Sequence, residues 1–246
     1  MDLKGKNILI TGGRRVGQVV ADELAAAGAN IAMTYRKSRA EIAQEVDHLK
    51  TAHPVRAEAY EVDMTDEGSI RMLVKTVTKD FGSIDALVNM ASIYETDPKD
   101  ISASEVLRLF SVNAIGGMLL SRWIADEARA RKAKNVPIVS FIDWAVDHPY
   151  ADYDLYLASK AALRHYLMAL QTTFAGTVRI VNIHPGMILQ PEGFPASRKK
   201  EIVANTPVGQ IGDPQQAARL VRVAMENDFL VDNIYLDGGQ HWRHRL

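Results

Sequence analysis

The sequence predicts an α/β fold, with one doubly wound parallel sheet of about seven strands flanked by helices on both faces. Three observations carry this expectation. Short apolar runs of strand length alternate with helix-period segments along the whole 246-residue chain. The first apolar run ends in a glycine-rich turn, "ITGGRRVGQ", that opens a helix. No linker, internal repeat or low-complexity stretch interrupts the alternation, so residues 1–246 read as a single domain.

Each element follows from its own pattern. "NILIT" (7–11) is a buried strand, and the following helix places Val16, Val20, Leu24 and Ala27 at helical spacing before a stop at Gly28. "NIAMTY" (30–35) is the second strand. Ser38 is the expected cap of a helix through residue 52, with Ile42, Val46 and Leu49 on one face. Residues 55–63 make a third strand, 69–81 a helix and 84–91 a fourth strand. A long helical region spans about 103–132, interrupted at Gly116 and Gly117, where close packing is expected. Strand 136–143, helix 155–174 and strand 178–184 follow. A Pro- and Gly-rich loop over about 185–212 precedes a helix at 214–226 and a last strand, "IYLDGG". Right-handed crossovers between parallel strands then give the double winding.

Composition narrows the function. Hydrophobic residues are 47% and charged residues 24%, enough to bury a core and too apolar for disorder. A net charge of −1 gives no basic field for nucleic acid. With no cysteines, disulfides, thiolate metal sites and a cysteine nucleophile are excluded. The N-terminal apolar run is too short for a secretory signal. No window approaches the ~18 apolar residues of a membrane span, so a soluble cytoplasmic protein is expected.

The first strand–helix turn is the entry point for chemistry. Gly12, Gly13 and Gly17 allow main chain to approach a pyrophosphate at a helix N-terminus, as in Rossmann-type nucleotide folds. Arg14 and Arg15 either add positive charge there or decorate a solvated turn. The second strand ends in "TYRKS", Tyr35-Arg36-Lys37-Ser38, with no carboxylate to bind a ribose 2′-hydroxyl and two cations suited to a 2′-phosphate. NADPH is therefore the expected cofactor. Asp63, ending the third strand, either meets the adenine amino group or caps a turn.

Tyr156 and Lys160 share a helix face at i and i+4. An adjacent ammonium stabilises tyrosinate and lowers the phenol pKa, which makes the phenol a usable proton donor for reduction of C=O or C=N. Tyr166 on the same helix is expected only to pack. Asp143 lies thirteen residues before Tyr156.

Taken together, "TGGRRVG" (11–17), "NMAS" (89–92), Asn113, "YLASK" (156–160) and "HPG" (184–186) resemble the short-chain dehydrogenase/reductase family over essentially the whole chain. The resemblance implies Tyr156 as proton donor and Lys160 as the group that binds the nicotinamide ribose and lowers the tyrosine pKa. It implies that Asn113 holds a relay water at a helix bend. Cofactor contacts would come from Gly12, Arg14, Arg15, Val16, Tyr35, Arg36, Ser38, Asp63, Met64, Asn89, Ala91, Ser92, Pro185, Gly186 and Ile188. Two departures stand out. Thr11 to Gly17 is one residue shorter than the family's usual glycine turn, so the phosphate loop must be re-routed around Gly13 and Arg14. Asp143 stands where most of the family has serine.

An ionised aspartate accepts hydrogen bonds and cannot donate. It suits a substrate edge bearing N–H groups better than a plain ketone. The order aspartate, tyrosine, lysine resembles the pteridine reductase branch, as do "RVG" (15–17) and "NMASIY" (89–94), and "ILQPE" and "LDGGQHWRHRL" resemble bacterial dihydromonapterin reductases. That likeness implies a dihydropterin substrate touched by Arg15, Ser92, Tyr94, Asp143 and Tyr156, with Tyr94 as an aromatic wall. Alternatives stay open: Asp143 as a turn cap, Tyr94 as a packed loop residue, a ketone or 3-oxoacyl thioester as substrate, or a non-catalytic NADP sensor. Asp147 and Asp152 are read as a solvated loop, Asp154 as an N-cap, and His184 as a packed histidine. The loop at about 187–212 is the substrate loop, with Phe194–Lys200 as a lid or a surface excursion. Trp242 and Arg243 are expected in a homotetramer interface.

Overall fold

The computed structural model describes residues 1–190 and 193–243, the last through its main chain. Seven strands, β1 (Asn7–Thr11), β2 (Asn30–Tyr35), β3 (Ala57–Glu61), β4 (Ala86–Asn89), β5 (Val136–Phe141), β6 (Val178–Pro185) and β7 (Asp232–Leu236), form one sheet in the order β3-β2-β1-β4-β5-β6-β7. Every pairing is parallel, with Ile8 opposite Ala86 and Ile31, and Val136 opposite Val178. The expected fold class is the observed one.

Alternation along the strands divides the core. Ile8, Ile10, Met33 and Val88 point to the face covered by α1 (Val16–Ala26), α2 (Arg39–Ala52) and α8 (Pro214–Glu226). Leu9, Ala32, Leu87 and Ile138 point to the face covered by α3 (Glu67–Phe81), α5 (Gly116–Ala130) and α6 (Asp154–Thr173). Strands apolar on both faces are what a parallel sheet buried between helices requires.

Several boundaries differ from expectation. β3 and β4 are shorter, because the segments after Glu61 and Asn89 leave the ladder at the carboxyl edge of the sheet. α3 starts earlier, since the Asp66 carboxylate accepts from the main-chain N–H of Gly68. Ser38 occupies the N-cap position of α2, but its hydroxyl makes no capping bond. Asp154 does not cap α6 either. The Asp97 carboxylate, distant in sequence, accepts from the N–H groups of Asp154 (2.6 Å) and Leu155 (3.2 Å). The loop after β6 hides a helix, α7 (Ala196–Asn205), none of whose residues is buried. A final short helix, α9 (Gln240–Arg243), follows β7.

The long central helix is three pieces: α4 (Ala103–Phe110), a π turn over Ser111–Ile115, and α5. The run Ala103–Ala130 is long and apolar enough to cross a membrane by length and composition, contrary to the sequence expectation. In this fold Leu109, Leu120 and Ile124 sit in the core instead. The glycines do allow close packing: a Cβ on Gly117 would lie 2.5 Å from Asn89 Nδ2, and one on Gly116 would lie 2.5 Å from the Met64 carbonyl oxygen.

Candidate active site

The sheet order reverses between β1 and β4, and a cleft of about 1190 Å³ opens there at the carboxyl ends of the strands. The glycine turn forms one end. Gly12 has φ +71°, and a Cβ on it would meet the Met90 carbonyl carbon at 2.8 Å. The shortened turn is accommodated by Arg15, at φ 55°, with the Gly17 N–H donating to the Arg14 carbonyl at 3.0 Å. Arg14 pairs with Glu41 at 2.7 Å, and Arg15 reaches across the cleft to the Gln190 carbonyl at 3.3 Å.

Arg14, Arg15, Val16, Tyr35, Arg36 and Ser38 line this end of the cleft, and Asp63, Met64, Ala91 and Ser92 continue its wall. Asp63 serves as a turn cap: its carboxylate accepts from the N–H and hydroxyl of Thr65, and Arg36 pairs with it at 2.8 Å. These bonds and the guanidinium hold its pKa below the usual carboxylate value. Pro185, Gly186 and Ile188 lie opposite, at the end of β6. Asn89 lies behind the cleft wall, accepting from the Thr11 hydroxyl at 3.1 Å.

At the other end stand Asp143, Tyr156 and Lys160. β5 stops at Phe141, and Asp143 Oδ1 accepts from the Ala145 N–H (2.8 Å), starting a single 3₁₀ turn, Trp144–Val146. Its second oxygen accepts from the Tyr156 hydroxyl at 3.2 Å. The carboxylate thus caps a turn and engages the phenol at once. Burial raises its pKa to about 6, against the hydrogen bonds and the Lys160 charge. Lys160 Nζ donates to the Phe141 carbonyl at 2.9 Å and stands 5.9 Å from the Tyr156 ring centroid. Burial lowers the Lys160 pKa to about 8.

One expectation fails here. Tyr156 is not acidified, because burial and then the Asp143 carboxylate push its pKa well above the ordinary phenol value. The ammonium is occupied by a main-chain carbonyl, and a carboxylate is the nearest charge. The phenol stays a firmly protonated O–H, which is the form a proton donor needs.

Asn113 lies on the π turn and is buried. Its side chain clasps the main chain of Ile93, accepting from the N–H at 2.7 Å and donating to the carbonyl at 2.9 Å. It also donates to Ser159 Oγ (3.2 Å) and accepts from Ser92 Oγ (3.3 Å). The amide therefore anchors the loop that carries Ser92 and Tyr94.

Tyr94 is the hub of an aromatic wall. It stacks on Tyr153 with centroids 4.6 Å apart, meets Tyr156 edge-on at 4.9 Å, and its hydroxyl lies 3.3 Å from that of Tyr150. Trp144 is 6.3 Å from Tyr150. The sequence reading missed Trp144, Tyr150 and Tyr153, although "DWAVDHPYADYDLY" carries four aromatics in the stretch leading to Tyr156. Phe194 and Arg198, within the stretch expected as a lid or a surface excursion, line the cleft; Glu201 and Asn205 of α7, which the sequence reading missed, line it too.

Asp147 is not simply solvated. It pairs with Arg164 at 2.7 Å and accepts from the Tyr235 hydroxyl at 2.6 Å, which lowers its pKa to about 2. Asp152 shapes the loop at φ 69°, its carbonyl accepting from the Asp97 N–H. Pro191, Glu192 and residues 244–246 lie outside the described residues, as does the Arg243 side chain; Trp242 is exposed.

Among known families, the chain matches short chain dehydrogenase over residues 6–201. It is 28% identical to a sorbose reductase of Candida albicans over 96% of this chain and 87% of that one. It is 28% identical to galactitol 2-dehydrogenase of Agrobacterium fabrum over 98% and 99%. A solved short chain dehydrogenase from Burkholderia cenocepacia in complex with NADP is 29% identical, covers 98% of this chain and 99% of its own, and superposes with a TM-score of 0.87.

Proposed function

The chain belongs to the short-chain dehydrogenase family, and from that premise we propose that it reduces a dihydropterin, of the dihydromonapterin or dihydrobiopterin type, with NADPH. The observation that carries the reading is Asp143: a half-buried carboxylate bonded to the phenol of Tyr156, in a cleft walled by Tyr94, Tyr150, Tyr153 and Trp144. A pterin is a flat ring with an N–H and amino edge, and this site offers it an acceptor and aromatic surface. Tyr94, stacked on Tyr153 and edge-on to Tyr156, supplies aromatic surface to the cleft against which the pterin would lie.

The residues present fit a dinucleotide. Gly12 and Gly13 line the cleft beside Arg15 and Val16 at the N-terminal end of α1, where main-chain N–H groups would meet a pyrophosphate. Arg36 and Ser38 would take the 2′-phosphate, Asp63 and Met64 the adenine side, and Ala91, Ser92, Pro185, Gly186 and Ile188 the remainder. The Burkholderia relative was solved in complex with NADP, which supports a nicotinamide dinucleotide as cofactor. When bound, the nicotinamide supplies the hydride. Tyr156 then gives its proton to the substrate nitrogen. Lys160, charged below about pH 8, provides the ammonium for the ribose and compensates the developing tyrosinate. Asp143 holds the substrate's N–H edge, and Asn113 keeps the Ser92–Tyr94 loop in place.

The sorbose and galactitol activities named for the relatives favour a second reading, reduction of a ketone on a hydroxylated chain, with a 3-oxoacyl thioester as the related acyl case. Asp143 weighs against both. Purified protein oxidising NADPH with a 7,8-dihydropterin, and not with a ketose or a 3-oxoacyl thioester, supports the first reading; the reverse pattern replaces it. The reading also includes a homotetramer with Trp242 in an interface, and a monomer at micromolar concentration would overturn that part.

A further inference from the structure

His184 is fully buried near the end of β6 and lies outside the proton path described above. Its Nδ1 lies 2.9 Å from the main-chain oxygen of Asp143, and its Nε2 lies 2.8 Å from Oδ1 of Asn233 on β7. Each ring nitrogen therefore has an oxygen partner, one on the main chain of Asp143 and one on β7. A neutral imidazole donates from one nitrogen, and that N–H can hold the Asp143 carbonyl.

The charged and titratable groups near the ring come from the loop after β5, from α6, from β7 and from α9. Tyr235 of β7 lies over it at 4.7 Å, with its hydroxyl on Asp147, and Asp147 pairs with Arg164 of α6. His241 of α9 stacks on the far side of Tyr235 at 4.1 Å and bonds to Asp237. Burial and Arg164 disfavour the second proton, while Asn233, the Asp143 carbonyl and Asp147 favour it, and the net direction is downward. Burial thus favours the neutral ring, which keeps one N–H to donate.

We propose that His184 is a positioning residue for Asp143. It fixes the main chain of the residue whose Oδ2 meets Tyr156 and ties that main chain to β7 through Asn233. The bland role for a buried histidine is packing, which a phenylalanine of similar size would fill. The proposal rests on Asp143 acting in the reaction, as read above, and not on which substrate is reduced.

A double-mutant cycle separates positioning from packing. His184→Phe keeps the ring against Tyr235 and removes both ring nitrogens. The expected result is a fall in kcat of at least about tenfold with NADPH affinity unchanged, and no further fall when His184→Phe is added to Asp143→Ser. His184→Gln, which keeps a donor, recovers most of the rate; Asn233→Asp retains it and Asn233→Leu loses it. If His184→Phe does not fold, His184→Gln and Asn233→Leu enter the same cycle. Losses that multiply independently of Asp143, or a His184→Phe enzyme with wild-type kcat, overturn the proposal. The cycle runs on whichever substrate the wild type turns over, so absence of pterin turnover defeats the substrate reading alone.

Discussion

The hydroxyl of Tyr156 donates to Oδ2 of Asp143 across 3.2 Å, with Tyr156 buried and Asp143 half-buried on the cleft wall. A carboxylate accepting from the proton donor does two things. It keeps the phenol protonated before substrate arrives, and it marks the point where a substrate N–H can take the phenol's place. The expected consequences follow from this pair.

Tyr156→Phe removes the O–H and little volume. Turnover should fall by about 100- to 10,000-fold, the usual worth of a positioned general acid. NADPH affinity, measured by fluorescence titration, should stay within a few fold. A protein that keeps a biological activity after this change is acting as a sensor of the dinucleotide and not as a reductase.

Asp143→Asn should stabilise the fold while harming catalysis. A carboxylate raised from 3.8 to about 6 binds its proton more tightly folded than unfolded. Its cost to stability is fully present above about pH 6 and disappears below 3.8. The shift corresponds to about 3 kcal/mol at most. Thermal denaturation should show the variant ahead of wild type at pH 8, with the gap closing as the pH falls toward 4. In the same account kcat/KM of the wild type declines as pH falls through about 6, where Asp143 stops accepting, and as it rises through about 8, where Lys160 loses its charge.

Arg36 sets the cofactor preference in this reading. Its guanidinium is exposed and held by Asp63 at 2.8 Å, ready to exchange that partner for a phosphate. Arg36→Ser should weaken NADPH binding by about 10- to 100-fold, the loss of one charged hydrogen-bonding group, and leave NADH binding nearly unchanged. Equal losses for both dinucleotides would contradict the assignment.

Gly117→Ala tests the helix packing beneath the site. The added methyl would lie 2.5 Å from Asn89 Nδ2 and 3.2 Å from Leu163 Cδ1. Overpacking of this kind costs about 1–3 kcal/mol. A drop in Tm of several degrees is expected, with weaker NADPH binding, since Asn89 underlies the glycine turn through Thr11.

How much of this was legible in the sequence depends on how local the physics is. β1, α1, β2 and α2 announced themselves, because their apolar spacing and stop signals are local. The cleft residues carried by motif positions, such as Gly12, Tyr156 and Lys160, came together as expected. The Asp97 cap of α6 was not legible, since its partners lie 57 and 58 residues away in sequence. The clasp of Asn113 on Ile93 and the double role of Asp143 depend on tertiary contacts that no spacing encodes. α7 was hidden because it buries no residue, so it carries no strong apolar stripe. The pKa of Tyr156 was misread for the same reason: the i+4 lysine was visible, but the burial and the competing carboxylate were not.

The central claim is that Asp143 selects a substrate with an N–H edge. The most direct test compares kcat/KM for a 7,8-dihydropterin and for a ketone in the wild type and in Asp143→Ser. The account predicts that the wild type prefers the pterin and that the serine variant loses that preference by about 100-fold or more, consistent with the penalty for removing a charged partner. An unchanged ratio, with the ketone turned over as well as before, would contradict the account and leave Asp143 as a cap on the turn at Ala145.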